Sequence, residues 1–157
     1  MRPIAFERHD HARCIDTAVA RAARHCAEKG VQFTPVRRRV LEILLEEHRA
    51  FGAYDILDRL RAEGRGAQPP VAYRALEFLV RHGFAHRIER LSAFAACAFP
   101  GSDHAPAFLI CRDCRAVAEA EQGPGRSLDA AAAKNGFTIE QTVVEAEGLC
   151  PNCVGAA

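Results

Sequence analysis

Along the first hundred residues, apolar positions recur three and four apart. Residues 13–29 are alanine-rich and free of Gly and Pro, which predicts a helix stopped by Gly30. In VRRRVLEILLEE, Val36, Val40, Ile43 and Leu44 fall on one helical face. Thr34 precedes that stretch as an N-cap, and Pro35 sits where a first helical turn tolerates it. AYDILDRLRAE (53–63) predicts a further amphipathic helix closed by Gly-Arg-Gly at 64–66. After Pro69 and Pro70, VAYRALEFLVRHG predicts a helix with Val71, Leu76, Leu79 and Val80 inward, ended by Gly83. The pattern then shortens. FAHRIER and LSAFAACAF read as two short strands around a tight turn. Helices followed by a hairpin fit a winged helix-turn-helix module, with Tyr73 and Arg74 near the start of its last helix. Helical packing alone also accounts for these patterns.

PGSDHAP (100–106) has the composition of a linker. Beyond it, AFLIC and RAVAEA read as strands, and SLDAAAAKNG as a helix with Ser127 as cap and Gly136 as stop. FTIEQTVVEAEGLC alternates at Ile139, Gln141 and Val143 and predicts a long strand. The fold class is therefore α+β. A winged-helix DNA-binding domain spans 1–99, with 1–12 as a flexible tail. Residues 100–106 form a hinge, and 107–157 a small α/β dimerisation domain. So small a unit has little core and at least one open sheet edge. It needs a metal, a partner or both, and a homodimer is expected.

Composition adds two points. The opening MRPIAFERHDH carries charge too early for a secretory signal, and no run approaches a membrane span, so a soluble cytoplasmic protein is expected. The net charge of +1 divides into +5 over residues 1–90 and −4 over 91–157. A basic front half is a candidate for a polyanion, or simply an uneven surface.

In a reducing compartment, seven cysteines point to thiolates, metal ligands or core residues rather than disulfides. Cys111/Cys114 and Cys150/Cys153 form two CxxC pairs. Each pair lets two thiolates reach one ion from a tight turn, and both together complete a tetrahedral four-thiolate shell suited to zinc. The 35 residues between them exceed the spacing of a simple zinc ribbon, so a folded scaffold must carry one pair towards each end of the unit. The competing use is a thiol–disulfide redox pair, which needs a CxxC at a helix start; neither pair opens a convincing helix.

A second set is weaker. His86 follows the last helix of the module, Cys97 ends the hairpin, His104 lies in the linker, and Glu119 ends a strand. One ion taking all four would have nitrogen, sulfur, nitrogen and oxygen donors, a mixture that favours zinc. Taken singly, each has an ordinary reading as a surface or core residue. Cys14 and Cys26 read as packing residues in the first helix, and His9 and His11 as solvated. His25, His48 and His82 show no partner cluster. Arg37, Arg38 and Arg39 either touch phosphates or solvate a helix face. No nucleophile elbow, phosphate-binding glycine loop or HExxH occurs, so nothing points to an enzyme.

FTPVRRRVLEIL, AYDIL, PPVAYRALEFLVRHGFAHRIE, LICRDC and GLCPNC together resemble the ferric uptake regulator family, over residues 13–154. Within it they resemble the zinc uptake regulator branch most. The resemblance implies a homodimeric winged-helix repressor that binds double-stranded operator DNA when loaded with zinc. It implies no membrane and no small-molecule substrate. Two Zn2+ per subunit are implied. Cys111, Cys114, Cys150 and Cys153 match structural ligands; His86, Cys97, His104 and Glu119 match regulatory ones. Tyr54 and Arg74 match positions that read bases or DNA backbone, and Tyr73 stands beside them. The family's helix usually begins TVYR; here Val71 replaces the threonine and one anchor is lost. The His-rich stretch of iron-responsive relatives is also missing, with only His104 in SDHAPAF. The alternatives are a family member sensing another metal or peroxide, and a redox protein using its CxxC pairs.

Overall fold

The computed structural model describes the backbone of residues 11–101, 104–120 and 125–155. His9, most of the expected tail and positions 102–103 of the expected hinge lie outside the described residues. The chain divides into two compact units that meet in sequence at Pro100 and Gly101.

The first unit contains α1 (His11–Lys29), α2 (Pro35–Glu46), α3 (Ala53–Ala62) and α4 (Pro69–Arg81). A hairpin of β1 (Ala85–Ile88) and β2 (Ala93–Ala96) follows. Local chemistry sets the ends. Gly30 terminates α1 at φ +67°, a left-handed conformation that costs glycine little. The Thr34 side chain accepts from the Arg37 amide at 3.3 Å and caps α2. The apolar stripes converge: Val40, Ile43 and Leu44 of α2, Ile56, Leu57 and Leu60 of α3, and Leu76 and Leu79 of α4 are all buried.

Two expectations need correction here. Val80 is exposed, whereas Val71 is half-buried and packs against the core as expected, beside a buried face of Ala72, Ala75, Leu76, Phe78 and Leu79. Val80 lies at the flank of that stripe and is left to solvent. Cys14 is exposed while Cys26 is buried, since α1 packs through Ile15, Val19, Ala22 and Cys26 at helical spacing.

β1 and β2 pair antiparallel, with His86 opposite Ala95, around a 3-10 turn at Glu89–Leu91 and Ser92 at φ 47°. Phe51 adds a third rung, exchanging two 2.8 Å backbone hydrogen bonds with Phe94. This bridge ties the start of α3 to the wing, and a single aromatic between two helices gave no sequence signal for it.

The second unit has β3 (Ala107–Cys111), β4 (Val117–Ala120), α5 (Gly125–Lys134) and β5 (Val144–Gly148). Its sheet has the order β4-β3-β5, with β4 antiparallel and β5 parallel to β3. Strand, strand, helix, strand is the predicted order. The last strand, however, covers only Val144–Gly148, and 137–143 lie outside it. β3 offers five residues, Ala107 to Cys111, so only five residues of the long alternating segment find a partner. Ser127 lies inside α5 rather than capping it.

Candidate metal centres and nucleic-acid interface

The parallel pairing of β3 and β5 builds the cysteine cluster. Cys111 stands opposite Gly148, so both strands deliver their CxxC pairs at the same end of the sheet. The first pair folds into a knuckle in which Arg115, at φ 64°, donates its amide to the Cys111 carbonyl at 3.1 Å. In the second, Cys153 and Val154 donate to the Cys150 carbonyl at 2.9 and 3.0 Å. The four sulfurs come within 4.8 Å of one another.

Cys114 and Cys150 sulfurs approach to 3.6 Å, far beyond the ~2.05 Å of a disulfide. A tetrahedral zinc with bonds of about 2.3 Å needs edges of about 3.8 Å, so this donor set fits that ion. Backbone amides of Cys114, then of Cys150 and Asp113, point at Cys111 and lower its thiol to about 6. The Cys150 amide stands 3.4 Å from that sulfur. Cys153 is pushed up to about 12, chiefly by the neighbouring Cys150 sulfur and then by burial. One thiolate is stabilised and further ones are resisted, which is the state a bound dication would relieve. Neither pair opens a helix, the setting that activates a redox CxxC.

The scattered residues form two donor pairs, one on each unit. In the first unit, His86 on β1 and Cys97 just beyond β2 are diagonal neighbours on one face of the hairpin. A ring nitrogen and the sulfur lie within 4.8 Å, and the Cys97 amide is fixed to the Phe84 carbonyl at 2.9 Å. In the second unit, His104 Nε2 lies 2.5 Å from Oε1 of Glu119, which sits on β4 opposite Phe108. The Glu119 side chain is only 3% exposed. A buried carboxylate held against an imidazole is a hard and borderline donor pair for a divalent ion.

Tyr54, at 63% exposure, opens α3, and Tyr73, at 43%, stands one residue before exposed Arg74 in α4. Asp55 Oδ2 accepts from the Gly52 amide at 2.9 Å and holds the first turn under Tyr54. Tyr54 and Tyr73 line one open groove of about 680 Å³ with Glu77, Arg81, Arg87 and Phe94. Glu77, which the sequence did not single out, lines this groove at helical spacing from Tyr73 and Arg74.

The arginine run has a different use. Arg37 lies 3.8 Å over the Phe78 ring and also bonds the Gln32 carbonyl. Arg38 pairs with Glu42 at 3.2 Å. Arg39 reaches Glu63 at 2.6 Å, Glu46 at 2.9 Å and Glu42 at 3.2 Å, joining α2 to the end of α3. His25 and His82, for which no cluster was expected, meet edge to face at 5.9 Å. Among the described residues, no helix is long and apolar enough to cross a membrane.

A winged-helix unit followed by an α/β unit with clustered thiols defines a class in which nucleic-acid reading and metal ligation share one chain. The chain belongs to the ferric uptake regulator family, whose family model matches residues 28–147. It is 40% identical over 138 residues to the zinc uptake regulation protein of Escherichia coli (strain K12), covering 87% of this chain and 81% of that protein. Among solved structures, a zinc uptake regulator complexed with zinc and DNA is 38% identical, with a TM-score of 0.85 over 90% of this chain and 96% of that one. Holo XcZur is 37% identical, with a TM-score of 0.80 over 90% and 99%.

Proposed function

We propose that this chain is a zinc-responsive repressor that binds operator DNA as a zinc-loaded homodimer and controls genes of zinc uptake. The observation that carries the reading is the 38% identity, over 90% of this chain, to a regulator solved with zinc and DNA. Two roles are proposed for the ion, which would supply positive charge and directional bonds. Cys111, Cys114, Cys150 and Cys153 would hold the structural zinc and lock the ends of β3 and β5. His86, Cys97, His104 and Glu119 would hold the regulatory one as a single set, with two donors from each unit.

Because that set draws on both units, filling it would restrict how freely they move. A dimer must present its two α4 helices to successive major grooves, roughly 34–36 Å apart. Zinc and DNA would then each tighten the other's binding. The basic unit would supply the salt-dependent attraction to phosphates, and Tyr54, Tyr73 and Arg74 the contacts of the reading helices. No part of this reading requires catalysis, and a cytoplasmic location follows from the role.

The test is a gel shift on the gene-proximal DNA of zinc transporters across a zinc titration. Binding that appears with zinc and disappears with chelator is expected. Binding equal with and without zinc, or restored only by iron or manganese, overturns it.

A further inference from the structure

The outward ridge of α4 carries a side chain that the DNA-binding reading leaves unexplained. At roughly 100° per residue, Arg74, Glu77 and Arg81 share one face, opposite buried Ala72, Ala75, Leu76 and Leu79. All three are exposed. Among the described residues none of them is held in an ion pair, although Glu77 and Arg81 stand at the spacing that often forms one. Glu77 instead faces the open groove between the start of α3 and the hairpin, with Tyr54 and Tyr73 on its walls.

A carboxylate on a surface that meets DNA is repelled by phosphates and loses water on contact. That cost is offset when it accepts a hydrogen bond from a base amino group, and in the major groove the N4 amino group of cytosine is the match for Glu. The placement suits that role. Glu77 lies three residues beyond Arg74, about 4.5 Å further along the helix, close to the ~3.4 Å step between bases along a strand. Arg74 and Arg81 flank it on the same ridge and temper the local repulsion.

We infer that Glu77 is a specificity-determining residue that reads a cytosine in each half-site, next to the base or phosphate that Arg74 contacts. The inference rests on the DNA-binding reading. Glu77 contributes selectivity at the expense of general affinity, since it penalises any duplex that presents an acceptor or a methyl group at that position.

The full-length zinc-loaded protein, Glu77→Gln and Glu77→Ala are each used to select binding sites from a random duplex pool at fixed salt. The wild-type chain should enrich a site with a cytosine at one position per half-site, by about tenfold over other bases. Glu77→Ala should lose that preference and leave the other positions intact. Glu77→Gln, which both donates and accepts, should broaden it. Both variants should bind non-specific duplex several-fold more tightly than wild type. Identical selected sites for all three proteins, or a loss spread evenly over every position, overturns the inference while leaving the repressor reading in place. A wild-type protein that selects nothing with zinc sinks both. Unchanged circular dichroism of the variants excludes a folding defect at this exposed position.

Discussion

Cys111 shows how far a residue's surroundings can be set before any ion arrives. Three backbone amides aim at its sulfur and draw its pKa down to about 6, while the neighbouring Cys150 sulfur and burial push Cys153 up to about 12. Neighbouring thiolates in one corner repel one another, and a bound cation would offset that repulsion. Cys111→Ser should lose one zinc per chain and unfold or monomerise the 101–157 unit, because a structural site contributes folding free energy directly. Metal analysis with size-exclusion chromatography checks this, and a stable Cys111→Ser dimer would refute the staple. His86→Ala should behave differently. It should stay folded and dimeric with one zinc, and lose zinc-dependent DNA binding by more than about 100-fold. A variant that still needs zinc to bind operator would remove His86 from the regulatory set.

At the scale of elements, packing explains what the helices do and what their ends require. Thr34→Ala removes the side-chain acceptor at the start of α2 and should cost about 1 kcal/mol. Denaturant midpoints measure that loss, and no shift would mean the cap is replaced by water at no cost. The seam of α1 against the end of α4 should be sensitive to pH. His82 is held below its ordinary pKa by burial first, and then by the charges of His25, Arg81 and Arg37. The folded state thus resists the proton that the unfolded chain accepts, so stability is full above about 6.5 and falls as pH drops below it. His82→Gln should flatten the decline between about pH 7 and 5.5 at fixed zinc. An unchanged slope would place the acid sensitivity elsewhere. The basic run on α2 also gains its meaning at this scale. Arg39 bridges Glu42, Glu46 and Glu63, so it braces two helices and is not available to phosphates.

For the whole molecule, the proposed roles of the two donor sets predict two stages of metal loss. The mixed set of His86, Cys97, His104 and Glu119 has fewer thiolates than the four-cysteine cluster and should release zinc first. A mild chelator should remove one zinc per chain and abolish DNA binding while the dimer survives. The second zinc should leave only with unfolding of the cysteine-bearing unit. Simultaneous release of both, followed by chromatography and circular dichroism, would contradict separate structural and regulatory roles.

Much of this was legible in the chain. The 3.6-residue stripes, Gly30, Thr34 and Gly83 marked the helices and their ends, because backbone conformation and burial are local demands that composition meets directly. The CxxC spacing announced a thiolate cluster for the same reason: both ligands of a pair come from one turn. Other features depended on partners distant in sequence. β5 stops at five residues because β3 has five to pair with. Both cysteine pairs reach one end of the sheet only because those strands run parallel. His86 meets Cys97 through hairpin register, and His104 meets Glu119 through the pairing of β3 with β4. The sequence by itself determined the local elements and the donor chemistry, since these follow from short-range sterics and residue type. Tertiary structure alone decided which donors meet, which arginines are engaged and which face of α4 is exposed, since those depend on strand register and helix packing between residues far apart in the chain.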